Sequence, residues 1–242
     1  MINEIVSWLR KHVQAAGAKG CVLGLSGGLD SSVVGVLCKQ AFPENVLGLL
    51  MPCFSQAQEM RDAQELAEKF SIPTKLIDLE PAYNQLYVQL EGKAYDPKEM
   101  NLAVANLKPR LRMIALYYHA NQLDYLVVGT GNRSELEMGY FTKYGDGGVD
   151  LLPLGGLLKT EVKKLAAELG IPNKIIEKAP TAGLWPGQTD EGEMGITYAE
   201  LDRILSGKIE GIAKNKVEMV RQKGISSRHK RQLPEIFKGG KK

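Results

Sequence analysis

The chain has 242 residues, 44 % hydrophobic and 24 % charged, with a formal net charge of +3. That length suits one large domain or a domain with a helical appendage, and the composition allows a full core. The charge is too small to demand nucleic acid as a partner. No apolar run is long enough to span a bilayer, and three cysteines with no CxxC or His/Cys spacing fit buried reduced thiols in a cytoplasmic protein rather than zinc or a disulfide framework.

Ile2, Ile5, Val6, Leu9 and Val13 recur at helical spacing, so the N-terminus reads as an amphipathic helix and not as a signal segment. Residues 21–25 form a candidate strand and 31–40 a helix that stops before Pro43. Residues 46–51 are a second strand, 57–70 a helix, and 74–77 a third strand after the turn at Pro73. Helices follow at 81–90 and from about 99 to 121, the latter broken or kinked near Pro109. Residues 125–129 are a fourth strand. Short apolar strands alternating with helices predict a doubly wound parallel sheet flanked by helices in a single domain. Residues 132–156 read as irregular, 160–169 as a helix closed by Gly170 and Pro172, 181–195 as a polar loop, and 198–205 and 209–223 as closing helices. The domain is expected over residues 1–238, with 239–242 a flexible tail.

The densest signal is Gly24-Leu25-Ser26-Gly27-Gly28-Leu29-Asp30-Ser31 between the first strand and its helix. Small residues at a strand-to-helix turn let backbone N–H groups approach an anion, and the helix start favours negative charge. The lysine of the Walker A pattern is missing, and no such pattern occurs elsewhere. After the fourth strand comes Thr130-Gly131-Asn132-Arg133-Ser134-Glu135. Gly129 and Gly131 have G-x-G spacing, but Ser134 replaces the third glycine of the dinucleotide fingerprint, so hydride transfer is poorly supported. Ligands of open α/β sheets bind beyond the carboxyl ends of the strands. Asp30 and Glu135 would lie there as neighbours, and Mg²⁺ held by these two carboxylates would supply the positive charge that the absent lysine does not. Taken alone, Glu135 reads as a solvated surface acid; it is the pairing with the loop that favours the metal role.

The wording Ser26-Gly27-Gly28-x-Asp30-Ser31 resembles the pyrophosphate loop of the ATP pyrophosphatases, which cleave ATP between the α- and β-phosphates and transfer AMP. A second run, Gly139-Tyr140-Phe141-Thr142-Lys143-Tyr144-Gly145-Asp146-Gly147-Gly148, is similar to that of the ammonia-dependent NAD synthetases. Further matches are Lys178-Ala179-Pro180-Thr181-Ala182-Gly183-Leu184-Trp185, Gly187-Gln188-Thr189-Asp190-Glu191 and His229-Lys230-Arg231. On these residues the chain is identified as a member of that family. The resemblance implies an adenine nucleotide alpha hydrolase-like fold and amidation of nicotinic acid adenine dinucleotide (deamido-NAD) by ammonia. The carboxylate is first adenylated by ATP with release of pyrophosphate, and ammonia then displaces AMP.

The resemblance also implies the site. Gly24, Leu25, Ser26, Gly27, Gly28, Leu29, Asp30 and Ser31 cradle ATP phosphates, and Asp30 and Glu135 hold Mg²⁺. Thr130, Lys159 and Thr181 contact ATP. Asp30, Glu135 and Lys159 carry the chemistry. Arg110, Lys143, Asp150, His229 and Lys230 match the deamido-NAD positions, where cations suit pyrophosphate and carboxylate and Asp150 could accept from ribose hydroxyls. A homodimer, free ammonia as nitrogen source, no glutaminase domain, and no nucleic acid or membrane partner are expected. Residues 143–152 and 181–192 are expected to be mobile without ligand and to form a lid that excludes water. The alternatives are another ATP pyrophosphatase, such as a tRNA-thiolating enzyme, or a nucleotide sensor without turnover.

Overall fold

A computed structural model describes residues 1–97, 101–185, 187–237 and 239. Its centre is a parallel sheet of β1 (Gly20–Gly24), β2 (Val46–Leu50), β3 (Thr74–Leu76) and β4 (Tyr125–Val127), in the order β3-β2-β1-β4. Cys21 pairs with Val46 on one side of β1 and with Leu126 on the other. Because side chains alternate along a strand, Cys21 and Leu23 enter one apolar cluster and Val22 enters another. The sheet is therefore buried on both faces, as its uniformly apolar strands predict.

On the first face lie α1 (Ile2–Ala15), α2 (Leu29–Ala41), α3 (Ala57–Lys69) and α8 (Lys159–Glu168), which contribute Leu9, Val33, Leu66 and Val162 to the core. On the second lie α4 (Glu80–Glu91) and α6 (Leu107–Leu123), with the buried rings of Tyr83 and Tyr87 and with Ala120. A third, smaller cluster joins α7 (Arg133–Met138), α10 (Asp190–Met194), α11 (Tyr198–Leu205) and α12 (Lys214–Ser226) through Met138, Met194, Leu201 and Val220. This end assembly carries much of the site.

Several boundaries depart from the sequence reading. The helix expected from about residue 99 to 121 is split into α5 (Leu102–Ala105) and α6, and Glu99 lies outside the described residues. Pro109 does not kink a helix; it stands in the first turn of α6, where its missing N–H costs nothing. The stretch 132–156 contains α7, started by Asn132, whose side chain accepts from Glu135 N while Glu135 accepts from Asn132 N. The stretch 181–195 contains α10, capped by Thr189. A short α9 (Asn173–Ile176) follows the Pro172 turn, and the last helix starts at Lys214. Of the expected tail, residues 240–242 lie outside the described residues.

Candidate active site

β1 ends at Gly24 and α2 begins at Leu29, so residues 25–28 form a tight turn over the start of a helix. Its own hydroxyls hold it. Ser31 Oγ donates to Gly28 O at 3.1 Å, Ser32 Oγ donates to the same carbonyl at 2.7 Å, and Ser26 N donates to Ser31 Oγ at 3.3 Å. Gly27 has φ +74, and an added Cβ there would run into the Glu59 carbonyl of α3. The loop is thus pressed against α3 in a conformation that only glycine adopts without strain, with the first turn of α2 aimed past the strand ends.

The next strand over is β4, and its carboxyl end leads through Thr130 to α7. Here the sequence separation of Asp30 and Glu135 collapses. Asn132 is fully buried, and its Nδ2 donates to Asp30 Oδ1 at 3.0 Å while its backbone N–H donates to Glu135 Oε2 at 3.2 Å. Lys159, the first residue of α8 and 3 % exposed, directs Nζ to Asp30 Oδ2 and, at 3.4 Å, to Glu135 Oε1. Tyr198 of α11 donates its hydroxyl to Glu135 Oε1 at 3.3 Å and to Asp190 Oδ2 at 3.0 Å.

The charges of this cluster are unbalanced. Burial pushes the Glu135 carboxyl up to about 7; Lys159 opposes the shift, and the nearby Asp30 charge adds to it. Burial pulls Lys159 down, but Asp30 and Glu135 outweigh it and hold the ammonium well above its usual value. Burial also raises Asp190, whose Oδ1 is buried without a hydrogen-bond partner. One lysine therefore faces three carboxyl groups, and the cation on which Asp30 and Glu135 converge is the Lys159 ammonium itself. Among the described residues no group of three or more His, Cys, Asp or Glu side chains forms a metal cage. Two carboxylates, with phosphate and water completing the shell, is the ligand set that suits Mg²⁺.

Around this cluster opens a cavity of about 910 Å³. It is lined by the turn after β1 with Thr130, Glu135 and Lys159, and by residues 139–146 and 178–185. Of the expected positions, Arg110, Lys143, Thr181, His229 and Lys230 also line it, whereas Gly27 and Asp150 do not. Asp150 is exposed and engaged elsewhere, accepting from Val127 N at 2.8 Å and from Tyr117 OH at 3.0 Å. Lys230 Nζ donates to Gly139 O at 2.8 Å and Phe141 O at 2.9 Å, so it fastens the wall as well as facing the cavity. Arg110 reaches the Lys143 carbonyl at 3.5 Å, and Lys143 Nζ sits 5.1 Å from the centre of the Tyr144 ring.

Sequence reasoning missed Asn132, Tyr198 and Lys178. The Asn132-x-x-Glu135 capping box was a readable signal for the first. Tyr198 gives none, since its role depends on where α11 packs. Lys178 Nζ donates to Asp62 Oδ2 at 2.6 Å and lies 3.4 Å from Gly27 O, which ties the segment before Thr181 to the phosphate loop.

The family profile described as NAD synthase matches residues 1–238. The chain is similar to an NH(3)-dependent NAD(+) synthetase of Carboxydothermus hydrogenoformans, with 52 % identity over 97 % of this chain and 95 % of the relative. Its fold is similar to the NMN synthetase of Francisella tularensis, with a TM-score of 0.91, 38 % identity and coverage of 98 % and 97 % of the two chains. It is also similar to the NH3-dependent NAD synthetase of Campylobacter jejuni, with a TM-score of 0.80, 27 % identity and coverage of 98 % and 97 %. Similarity that runs the full length of relatives and takes in both strand-end motifs leaves one conclusion: the chain belongs to the NAD synthase family.

Proposed function

We propose that the chain converts deamido-NAD, ATP and ammonia into NAD, AMP and pyrophosphate. A carboxylate is a poor electrophile because oxide is a prohibitive leaving group. Attack of that carboxylate on the α-phosphorus of ATP expels pyrophosphate and gives an acyl-adenylate, and ammonia then displaces AMP. The observation that carries this reading is the lining of the cavity. One enclosure is lined both by the turn after β1 with Glu135 and Lys159 and by Arg110, Lys143 and His229. It therefore offers groups for the phosphates of ATP and cations for an anionic acyl acceptor in the same space.

In this reading the turn from Gly24 to Ser31 grips the β- and γ-phosphates, and Thr130 and Thr181 hold the rest of ATP. Asp30 and Glu135 would hold Mg²⁺, which supplies charge neutralisation at the phosphates when bound. Lys159 stabilises the growing charge of the leaving pyrophosphate. Arg110, Lys143 and His229 orient the deamido-NAD, and Asp150 and Lys230 keep the wall beside it in place. Among the described residues no helix is long and apolar enough to cross a membrane. Cytoplasmic residence is supported by three free, buried cysteines. One domain over 1–238 is supported by the extent of the family match. A homodimer is supported by Ile114 and Tyr118, one turn apart and exposed on α6, and by exposed Val88 and Leu90 on α4.

One observation favours a second reading. The Francisella relative is named for the mononucleotide product, and here Lys230 commits two of its three donors to backbone carbonyls, which leaves one for a dinucleotide. The deciding experiment offers Mg-ATP and ammonium with deamido-NAD or with nicotinic acid mononucleotide, and measures AMP, pyrophosphate and amide. Equal yields of the three, with kcat/KM higher for deamido-NAD, are expected. A higher value for the mononucleotide would transfer the assignment, and AMP release without either acceptor would overturn both.

A further inference from the structure

α8 begins without a capping side chain of its own, because the residue at its N-cap is Leu158. Its first N–H groups are nevertheless satisfied, and by other helices. Lys159 N donates to Ser134 Oγ of α7 at 3.0 Å, and Thr160 N donates to Asp202 Oδ2 of α11 at 2.8 Å. Ser134 in turn donates its hydroxyl to Asp202 Oδ1 at 2.5 Å. Asp202 is 4 % exposed and Ser134 is fully buried. Neither lines the cavity.

We infer that Asp202, through Ser134, is a positioning residue that sets the distance between the Lys159 ammonium and the Glu135 carboxylate. The two groups it grips are each one residue away from a group of the site: Ser134 precedes Glu135, and Thr160 follows Lys159. A single carboxylate thus locks the first turn of α7 to the first turn of α8. Its two oxygens do separate jobs, one holding the hydroxyl that carries Lys159 N, the other holding Thr160 N directly. The negative charge also lies at the start of α8, where the helix favours it. A displacement of about 1 Å at such a junction is enough to cost on the order of a hundredfold in rate when reacting groups must be aligned.

This inference rests on the assignment of Lys159 to the leaving pyrophosphate, and the test separates the two. Asp202→Asn keeps shape but removes the charge and one acceptor, so Thr160 N can still donate to the amide oxygen while the Ser134 hydroxyl proton loses its partner. The expected result is a fall of about ten- to a hundredfold in kcat for AMP formation, with KM for deamido-NAD changed less than about twofold. In a Lys159→Met background the same substitution should lower the residual rate by a clearly smaller factor than in the wild type, because the ammonium whose distance from Glu135 it sets is gone. Equal fold-losses in both backgrounds, or a Tm change with kcat intact, would overturn the inference. Near-normal turnover of Lys159→Met alone would instead overturn the assignment of Lys159. If Asp202→Asn does not accumulate as folded protein, Ser134→Ala in both backgrounds carries the same test with the same expected outcomes.

Discussion

Asn132 donates its side-chain amide to Asp30 Oδ1 at 3.0 Å, across the gap between the carboxyl ends of β4 and β1. The same side chain caps α7 by accepting from Glu135 N. One residue therefore aligns both proposed metal carboxylates and starts the helix that bears one of them. Asn132→Ala should cost about 1–2 kcal/mol, from the cap and a buried hydrogen bond to a charged group. Asn132→Asp retains the cap but sets a carboxylate against Asp30. Its Tm should therefore not exceed that of the Ala variant despite the retained cap, and its AMP formation should fall further. Thermal melts and a Mg²⁺ titration of AMP release check both, and an active Asp variant would remove the amide from the mechanism.

Asp62 gives a pH dependence of known sign. Burial raises its carboxyl, but hydrogen bonds from Lys178, Gln58 and Lys174 outweigh burial and hold it at about 2. A carboxyl lowered in the folded state stabilises the fold above its unfolded pKa and loses that contribution as pH falls. The expected contribution is about 2 kcal/mol, complete above about pH 5 and lost between about pH 4 and 2. Urea melts of wild type and Asp62→Asn across that range should converge as pH drops. A gap that stays constant to pH 2 would contradict the assignment.

Lys143 tests which part of the cavity lining belongs to which substrate. Lys143→Ala should raise KM for deamido-NAD about tenfold or more, the usual scale for a lost charge-assisted contact, and leave KM for ATP nearly unchanged. Equal rises would move Lys143 to the ATP site.

Gly27 and Gly28 are adjacent yet should respond differently. Gly27→Ala meets a positive φ and the Glu59 carbonyl, whereas a Cβ at Gly28 meets only Ser26 Oγ at 3.3 Å with an ordinary φ of −87°. The first change should cost about 2 kcal/mol or more and the second under about 1 kcal/mol. Denaturant midpoints compare them directly, and equal losses would mean that α3 does not constrain the loop.

The loops read from sequence as a mobile lid, residues 143–152 and 181–192, are expected to exchange amide hydrogens quickly in the free protein and slowly with ATP bound. Unchanged exchange in both segments would count against a lid.

The sheet was legible because local patterns carry it: short apolar strands, helices between them, and a glycine-rich turn at the strand end that matters most. The pairing of Asp30 with Glu135 was legible for the same reason, since both follow strands that topology makes neighbours. α7 and α10 were missed because each is short and starts from a polar cap inside a glycine-rich or polar stretch, where hydrophobic period gives no signal. Pro109 was misplaced because a proline in a first turn and a proline at a kink look alike without the preceding boundary. Tyr198 and Asp202 could not be read at all. Their partners on α7 and α8 lie far away in sequence, and only the packing of α11 against those helices brings them in.

The double staple of Lys230 to the carbonyls of Gly139 and Phe141 has a consequence for the order in which the molecule is made. Translation delivers the phosphate loop first and the clasp of this wall some two hundred residues later. A nascent or truncated chain that stops short of Lys230 has the turn after β1 but lacks both of these bonds. On the proposed function, an acyl-adenylate formed there would meet a wall that Lys230 does not yet hold, so full-length synthesis would precede protection of the intermediate.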